Sequence, residues 1–270
     1  MSRPVTAGLG KVAGGVILAI AAIAFALPLL ALLLFTFRMP GRSGGLTLDH
    51  YLAIVDPTQE LTYDGLFMGL VNSLGIAVVT VAIVLLLLVP TLVLVELRYP
   101  RVRRAIEAVC LLPLTVPTVV LVVGFVPVYK VVSGALGSAP WTLAFAVGVI
   151  VLPYAYRPIQ ANIAALDIVV LSEAARSLGA NGVQVVWRVV LPNLRRGILS
   201  ACLLTVAVVL GEYTIAAFLS RTTFQTALFL LQQTDPYVSA IFSLAALAMV
   251  FVLLLLIGRL GSFRPSRSAS

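Results

Sequence analysis

Charge is what this sequence has least of. Asp, Glu, Lys and Arg make up 10% of its 270 residues, against about 25% in an ordinary soluble domain. A chain this poor in solvated side chains cannot cover its own surface in water, which excludes a soluble globular fold. Cysteine is equally scarce. Cys110 and Cys202 both lie inside apolar runs, so neither a disulfide framework nor a metal site is expected. The lone histidine, His50, lies outside those runs and reads as a solvated loop residue. No G-x4-G-K-[ST] loop occurs, since Gly8-Leu9-Gly10-Lys11 has neither the spacing nor the following Ser or Thr. The chain is expected to bind no nucleotide or other cofactor itself. Catalytic residues are not expected either: Glu212, the one acid within the fifth apolar run, does not supply an acid, a base and a nucleophile.

What is present is 61% hydrophobic and comes in long blocks. Unbroken uncharged runs cover 12–37, 65–95, 108–129, 131–156 and 236–258, and 197–220 is interrupted only by Glu212. A helix needs about 20 mostly apolar residues to cross a bilayer, whereas barrel strands are shorter and alternate with polar residues. The expectation is an all-α integral membrane protein with six transmembrane helices. They are placed near 12–37, 67–95, 106–129, 139–160, 197–220 and 236–260, in a single domain of residues 1–261. The Ser/Arg-rich tail, 262–270, is expected to be disordered. The first run exceeds the roughly 7–15 residues of a signal-peptide core and reads as a retained helix.

Orientation follows from the Lys and Arg bias of the connecting segments. Fourteen of the 18 basic residues fall on one side, including Arg98, Arg101, Arg103 and Arg104 after the second helix and five arginines between the fourth and fifth. The other side holds Arg38, Arg42, Lys130 and Arg221. Both termini are therefore expected in the cytoplasm. The net charge of +8 is mostly this bias and calls for no nucleic-acid partner. The outer segment 38–64 contains turn-formers, a short amphipathic piece at 48–55, and an acidic end with Asp56, Glu60 and Asp64. Pro28, Pro90, Pro113, Pro117, Pro127 and Pro153 fall within apolar runs and are expected to kink them.

The most informative stretch is polar and cytoplasmic, 167–192. Asp167 can cap a short helix that Gly179 ends in the left-handed conformation. Asn181 can cap a second helix, with Gln184 three residues on as a capping box. Val185, Val186, Val189 and Val190 give that helix an apolar stripe, and Pro192 is expected to break or bend the chain before it re-enters the membrane. A hairpin of this composition, presented outside lipid, needs something to bury against.

These residues resemble a known motif. Glu173-Ala174-Ala175, Gly179 and Val189-x-Leu191-Pro192 are similar, at matching spacing, to the EAA loop of ABC importer membrane-spanning permease subunits. Val189 stands where isoleucine is usual. Asn72-Ser73-Leu74 and Leu112-Pro113-x3-Pro117 also look like this family. The resemblance implies a type I ABC importer (MetI-like) permease fold. It implies that the hairpin couples to a separate ATPase dimer holding ATP and Mg, through Glu173, Ala174, Ala175, Gly179, Leu191 and Pro192. It further implies a second permease subunit and an extracytoplasmic substrate-binding protein. In the fifth run, Gly211-Glu212-Tyr213-Thr214-Ile215-Ala216 resembles the spermidine/putrescine-type branch, with thiamine, aminophosphonate and iron carriers as alternatives.

A charge at a helix centre costs about 2.5–3.5 kcal/mol on insertion scales and is tolerated where it meets protein or water. Glu212, Tyr213 and Thr214 are therefore candidates for the translocation path of an amine-bearing solute. Packing by a buried acid is the equal alternative. A stand-alone secondary transporter would leave the hairpin without a partner.

Overall fold

The computed structural model describes residues 11–39, 41, 45–56 and 60–262. The tail at 263–270, the turn-formers Pro40, Ser43 and Gly44, and Arg42 lie outside them, while Ser262 ends the last helix. Apart from one bridging pair, Arg38 with Leu46, the described residues form helices and their connections. Six helices are long and apolar enough to cross a membrane: Ala13–Thr36, Tyr63–Arg98, Thr118–Leu136, Pro140–Leu166, Gly182–Leu210 and Pro236–Leu253. The described residues divide into two compact units.

The first unit draws on Met1–Glu60 and Leu230–Leu247. Helix α1 (Lys11–Thr36) is followed by the Arg38–Leu46 bridge and the short α2 (Asp49–Val55). None of the apolar span of α1 is buried, so its surface is left for lipid or another chain. Below it, polar groups and rings interlock. The buried Thr36 hydroxyl meets the Tyr51 hydroxyl at 2.7 Å, and Phe37 stacks on Tyr51. His50 is 9% exposed, stacked on Tyr237 at 4.4 Å, and its Nε2 donates to the Arg38 carbonyl at 3.2 Å. The expected solvated loop histidine is thus a buried, hydrogen-bonded one. The reason is Tyr237, distant in sequence, whose ring covers it.

The second unit draws on Leu61–Phe229 and Ala248–Ser270. It begins with α3 (Glu60–Arg98), α4 (Arg103–Leu111), α5 (Thr118–Leu136) and α6 (Ala144–Leu166). The hairpin follows as α7 (Ile168–Ser177) and α8 (Gly182–Gln184). The unit continues with α9 (Leu191–Leu210) and α10 (Thr214–Phe218), and α11 (Phe224–Thr234) and α12 (Pro236–Ser262) cross into the other unit's residues. Of the span Pro140–Leu166, 61% is buried, and α6 packs along α9. Lipid removes the hydrophobic drive between such helices, so close backbone approach must substitute for it. Gly197 supplies that approach: a Cβ there would lie 2.8 Å from the Asn162 Cβ and 2.9 Å from the Pro158 carbonyl oxygen. The Asn162 side-chain oxygen also accepts the Gly197 N–H at 3.0 Å.

Three segments differ from expectation. The expected helix at 106–129 is broken: α4 gives way to a single 3-10 turn, Leu112–Leu114, and α5 starts only after Pro117. Pro113 and Pro117 remove two donors from the ladder there, so they interrupt the helix rather than kink it. The expected helix at 197–220 ends at Leu210. Pro192 does not break the helix. It is the second residue of α9, preceded by a π-helical stretch, Val185–Val190, in which Leu191 donates to the Val186 carbonyl five residues back. The wider turn accommodates a ring that an α-helical turn would reject.

Candidate coupling hairpin and helix break

The hairpin is shaped by caps that the chain carries in its own sequence. Asp167 adopts a left-handed conformation, φ 42°, and its side chain accepts the Val170 N–H at 3.4 Å. At the other end Gly179, φ +88°, closes α7. Its N–H donates to the Arg176 carbonyl at 2.9 Å, and the Ala180 N–H reaches back to Ala175 at 3.0 Å. That pair of bonds is a Schellman motif, and only a residue free of a Cβ penalty adopts its φ without strain. Asn181 and Gln184 then exchange two 2.9 Å bonds as a reciprocal capping box.

Burial divides the hairpin into an anchored and a presented face. Ile168, Ser172, Val185 and Val190 are buried, and Ala175, Val186 and Leu191 pack partly against the core. Glu173, Ala174, Gly179 and Pro192 are exposed. Three large apolar side chains are exposed around the turn: Leu178 at 89%, Val183 at 68% and Trp187 at 68%. The valine stripe legible in the sequence anchors the hairpin, and these three lie outside it. The signal was present, because Leu178 and Trp187 are large apolar residues beside a polar turn with no place in that stripe.

The second candidate site is a break in the chain. α9 ends at Leu210, Gly211–Tyr213 is irregular, α10 runs for five residues, and 219–223 is irregular again before α11. Side chains satisfy the freed backbone groups. The Glu212 Oε1 accepts the Ile215 N–H at 2.8 Å, and the Gln225 amide donates to the Leu210 carbonyl at 3.1 Å. The Ser73 hydroxyl accepts the Phe224 N–H at 2.9 Å, and the Asn72 amide donates to the Thr222 carbonyl at 2.9 Å. Gly69 lets α3 approach, since a Cβ there would lie 2.7 Å from the Thr223 oxygen. The Asn72-Ser73 pair thus has a physical task, holding the second irregular segment against α3. Tyr213 is 38% exposed and packs its ring against Phe229 at 5.2 Å; Glu212 and Thr214 are half-buried. Irregular backbone at membrane depth persists only where protein or a water-filled path receives it.

Six bilayer-length helices, with a capped hairpin leading into the fifth, make this a multi-pass membrane protein. The chain belongs to the family of binding-protein-dependent transport system inner membrane components, whose model matches residues 93–262 and so takes in both the hairpin and the break. Among curated proteins it is 30% identical over 164 residues to the spermidine/putrescine transport system permease protein PotB of Haemophilus influenzae, covering 55% of this chain and 57% of that one. It is 28% identical over 125 residues to PotC of the same organism, covering 46% and 48%. To the sulfate transport system permease protein CysW of Synechocystis it is 52% identical over 48 residues, 18% and 17% of the two chains. The chain thus spans about half the length of the two polyamine relatives and less of the sulfate one.

Proposed function

We propose that this chain is a transmembrane permease subunit of an ATP-binding-cassette importer, forming half of the translocation path. ATP hydrolysis takes place on a separate ATPase dimer, and the hairpin at 167–192 carries its motion into the membrane. The carrying observation is the presented face of the hairpin, where Leu178, Val183 and Trp187 lie exposed around Gly179. Its caps are internally complete, so this face is not needed to hold the hairpin together. A second permease subunit, a different homologous chain, completes the path, and an extracytoplasmic binding protein delivers the solute. Both termini lie in the cytoplasm. The solute is a polyamine such as spermidine or putrescine, or a related small amine; the longer matches and the acid at Glu212 support it. The sulfate-permease match supports a second reading, an oxyanion.

The test is a pair of nearly isosteric substitutions. Asn and Asp are the side-chain-bearing residues that visit the left-handed region most readily, so both substitutions strain the turn at Gly179 to a similar degree and only Gly179→Asp adds a charge to the docking face. Gly179→Asp is expected to insert and hydrolyse ATP while losing uptake, and Gly179→Asn to retain much of it. Full transport by a stably expressed Gly179→Asp complex would remove the coupling role. Affinity purification from mild detergent identifies the partners, and a thermal-shift screen of the co-purifying binding protein with spermidine, putrescine and sulfate separates the two solute readings.

A further inference from the structure

The break between α4 and α5 leaves polar atoms unmatched. Thr115 donates both its N–H and its hydroxyl to the Leu112 carbonyl, at 2.9 and 2.7 Å. Pro117 has no N–H to return to the turn before it. Among the described residues, no donor reaches the carbonyl oxygens of Leu114, Thr115 or Val116, and the hydroxyls of Thr118 and Tyr154 have no partner. These five residues line one open pocket of about 380 Å³, with Ile150 as an apolar wall. That volume is within the roughly 300–1,000 Å³ usual for small-ligand sites.

Position along the helices sets the depth. At 1.5 Å per residue, Thr118 lies about 27 Å from the Leu136 end of α5, and Tyr154 about 21 Å from Pro140. In the orientation proposed above, Tyr154 falls in the cytoplasmic half of an apolar core about 30 Å thick, and Thr118 with the preceding residues 114–116 lies at its cytoplasmic boundary. At that boundary the free carbonyls are open to water and to a polar solute entering the cytoplasm. The lining holds hydrogen-bond acceptors and hydroxyls, and no Lys, Arg or His. Rings of carbonyl oxygens select cations in channels, and a phenol ring adds attraction for an ammonium group. An oxyanion would find donors only in the Thr118 and Tyr154 hydroxyls, beside three carbonyl oxygens that repel it.

We propose that this cavity binds a protonated amine on its way to the cytoplasm. The inference rests on the importer reading and deepens it, since it favours the amine over the oxyanion. The test replaces Cys110 and Cys202 by alanine and introduces Thr118→Cys, or Tyr154→Cys if the first does not assemble. The full complex, with ATPase and companion permease, is then treated with cationic and anionic methanethiosulfonate reagents of similar size. The cationic reagent is expected to react about tenfold faster, the ratio that corresponds to 1.4 kcal/mol, and saturating putrescine should slow it. Equal rates, a faster anionic reagent, no protection by putrescine, or no reaction until the protein is denatured would each overturn the assignment. Absence of putrescine uptake by the parent complex would instead defeat the amine reading of the importer. The ratio of reagent rates would still decide whether the cavity is a hydrated cation site.

Discussion

At Glu212 one carboxylate oxygen accepts the Ile215 N–H, which ties the acid to the start of α10 whatever else it contacts. Packing and conduction, left as equals by the sequence, therefore make different demands on the residue. A glutamine keeps the acceptor oxygen and drops the charge, whereas an alanine drops both. Glu212→Gln is expected to give complex at the parent yield with depressed uptake. Glu212→Ala should in addition lose about 1 kcal/mol of stability, the usual worth of a helix cap. Parent-level uptake kinetics in Glu212→Gln would leave the acid as a cap and nothing more. Residues whose partners are local were legible in this way: Asp167, Gly179, Asn181 and Gln184 bond to neighbours within five positions, and each does what its chemistry predicts. His50 was not legible, because the ring that buries it comes from Tyr237.

Among the elements, α6 and α9 make the closest helix pair, and Gly197 is where they touch. Gly197→Ala places a methyl 2.8–2.9 Å from atoms of Asn162 and Pro158, one of them backbone. It should destabilise the detergent-solubilised protein by about 1–3 kcal/mol, the usual cost of overpacking. Gly75→Ala, with nothing within 4 Å, is the matched control and should melt with the parent. A Gly197→Ala protein that melts alongside that control would show the contact to be soft. Helix existence was readable from hydropathy, but the interruptions at 112–117 and 211–213 were not. Uncharged composition continues through the first, and the second is marked in the sequence by Glu212 alone. What ends the helices is the loss of two proline donors in one case. In the other, side chains far along the sequence stand ready to satisfy the freed backbone, as Gln225 does for Leu210.

For the whole molecule, the arginine bias makes a claim about sidedness that six apolar helices alone do not. Green fluorescent protein fused at either terminus is expected to fluoresce, and alkaline phosphatase inserted between Leu136 and Pro140 to be active, since the phosphatase works only outside the cytoplasm. The reverse pattern would invert the topology and put the hairpin out of reach of any cytoplasmic ATPase. With the hairpin inside, the unbroken helical stretch from Gly182 to Leu210 acquires a mechanical meaning. Its 29 residues make a strut about 44 Å long at 1.5 Å per residue, starting beside the exposed turn and ending where Gly211 and Glu212 interrupt the chain. Because helical structure continues through Pro192, a push on the hairpin is expected to pass along the stretch. The compliance lies at the far end, so a stroke delivered in the cytoplasm is expected to be felt first as a rearrangement around Glu212.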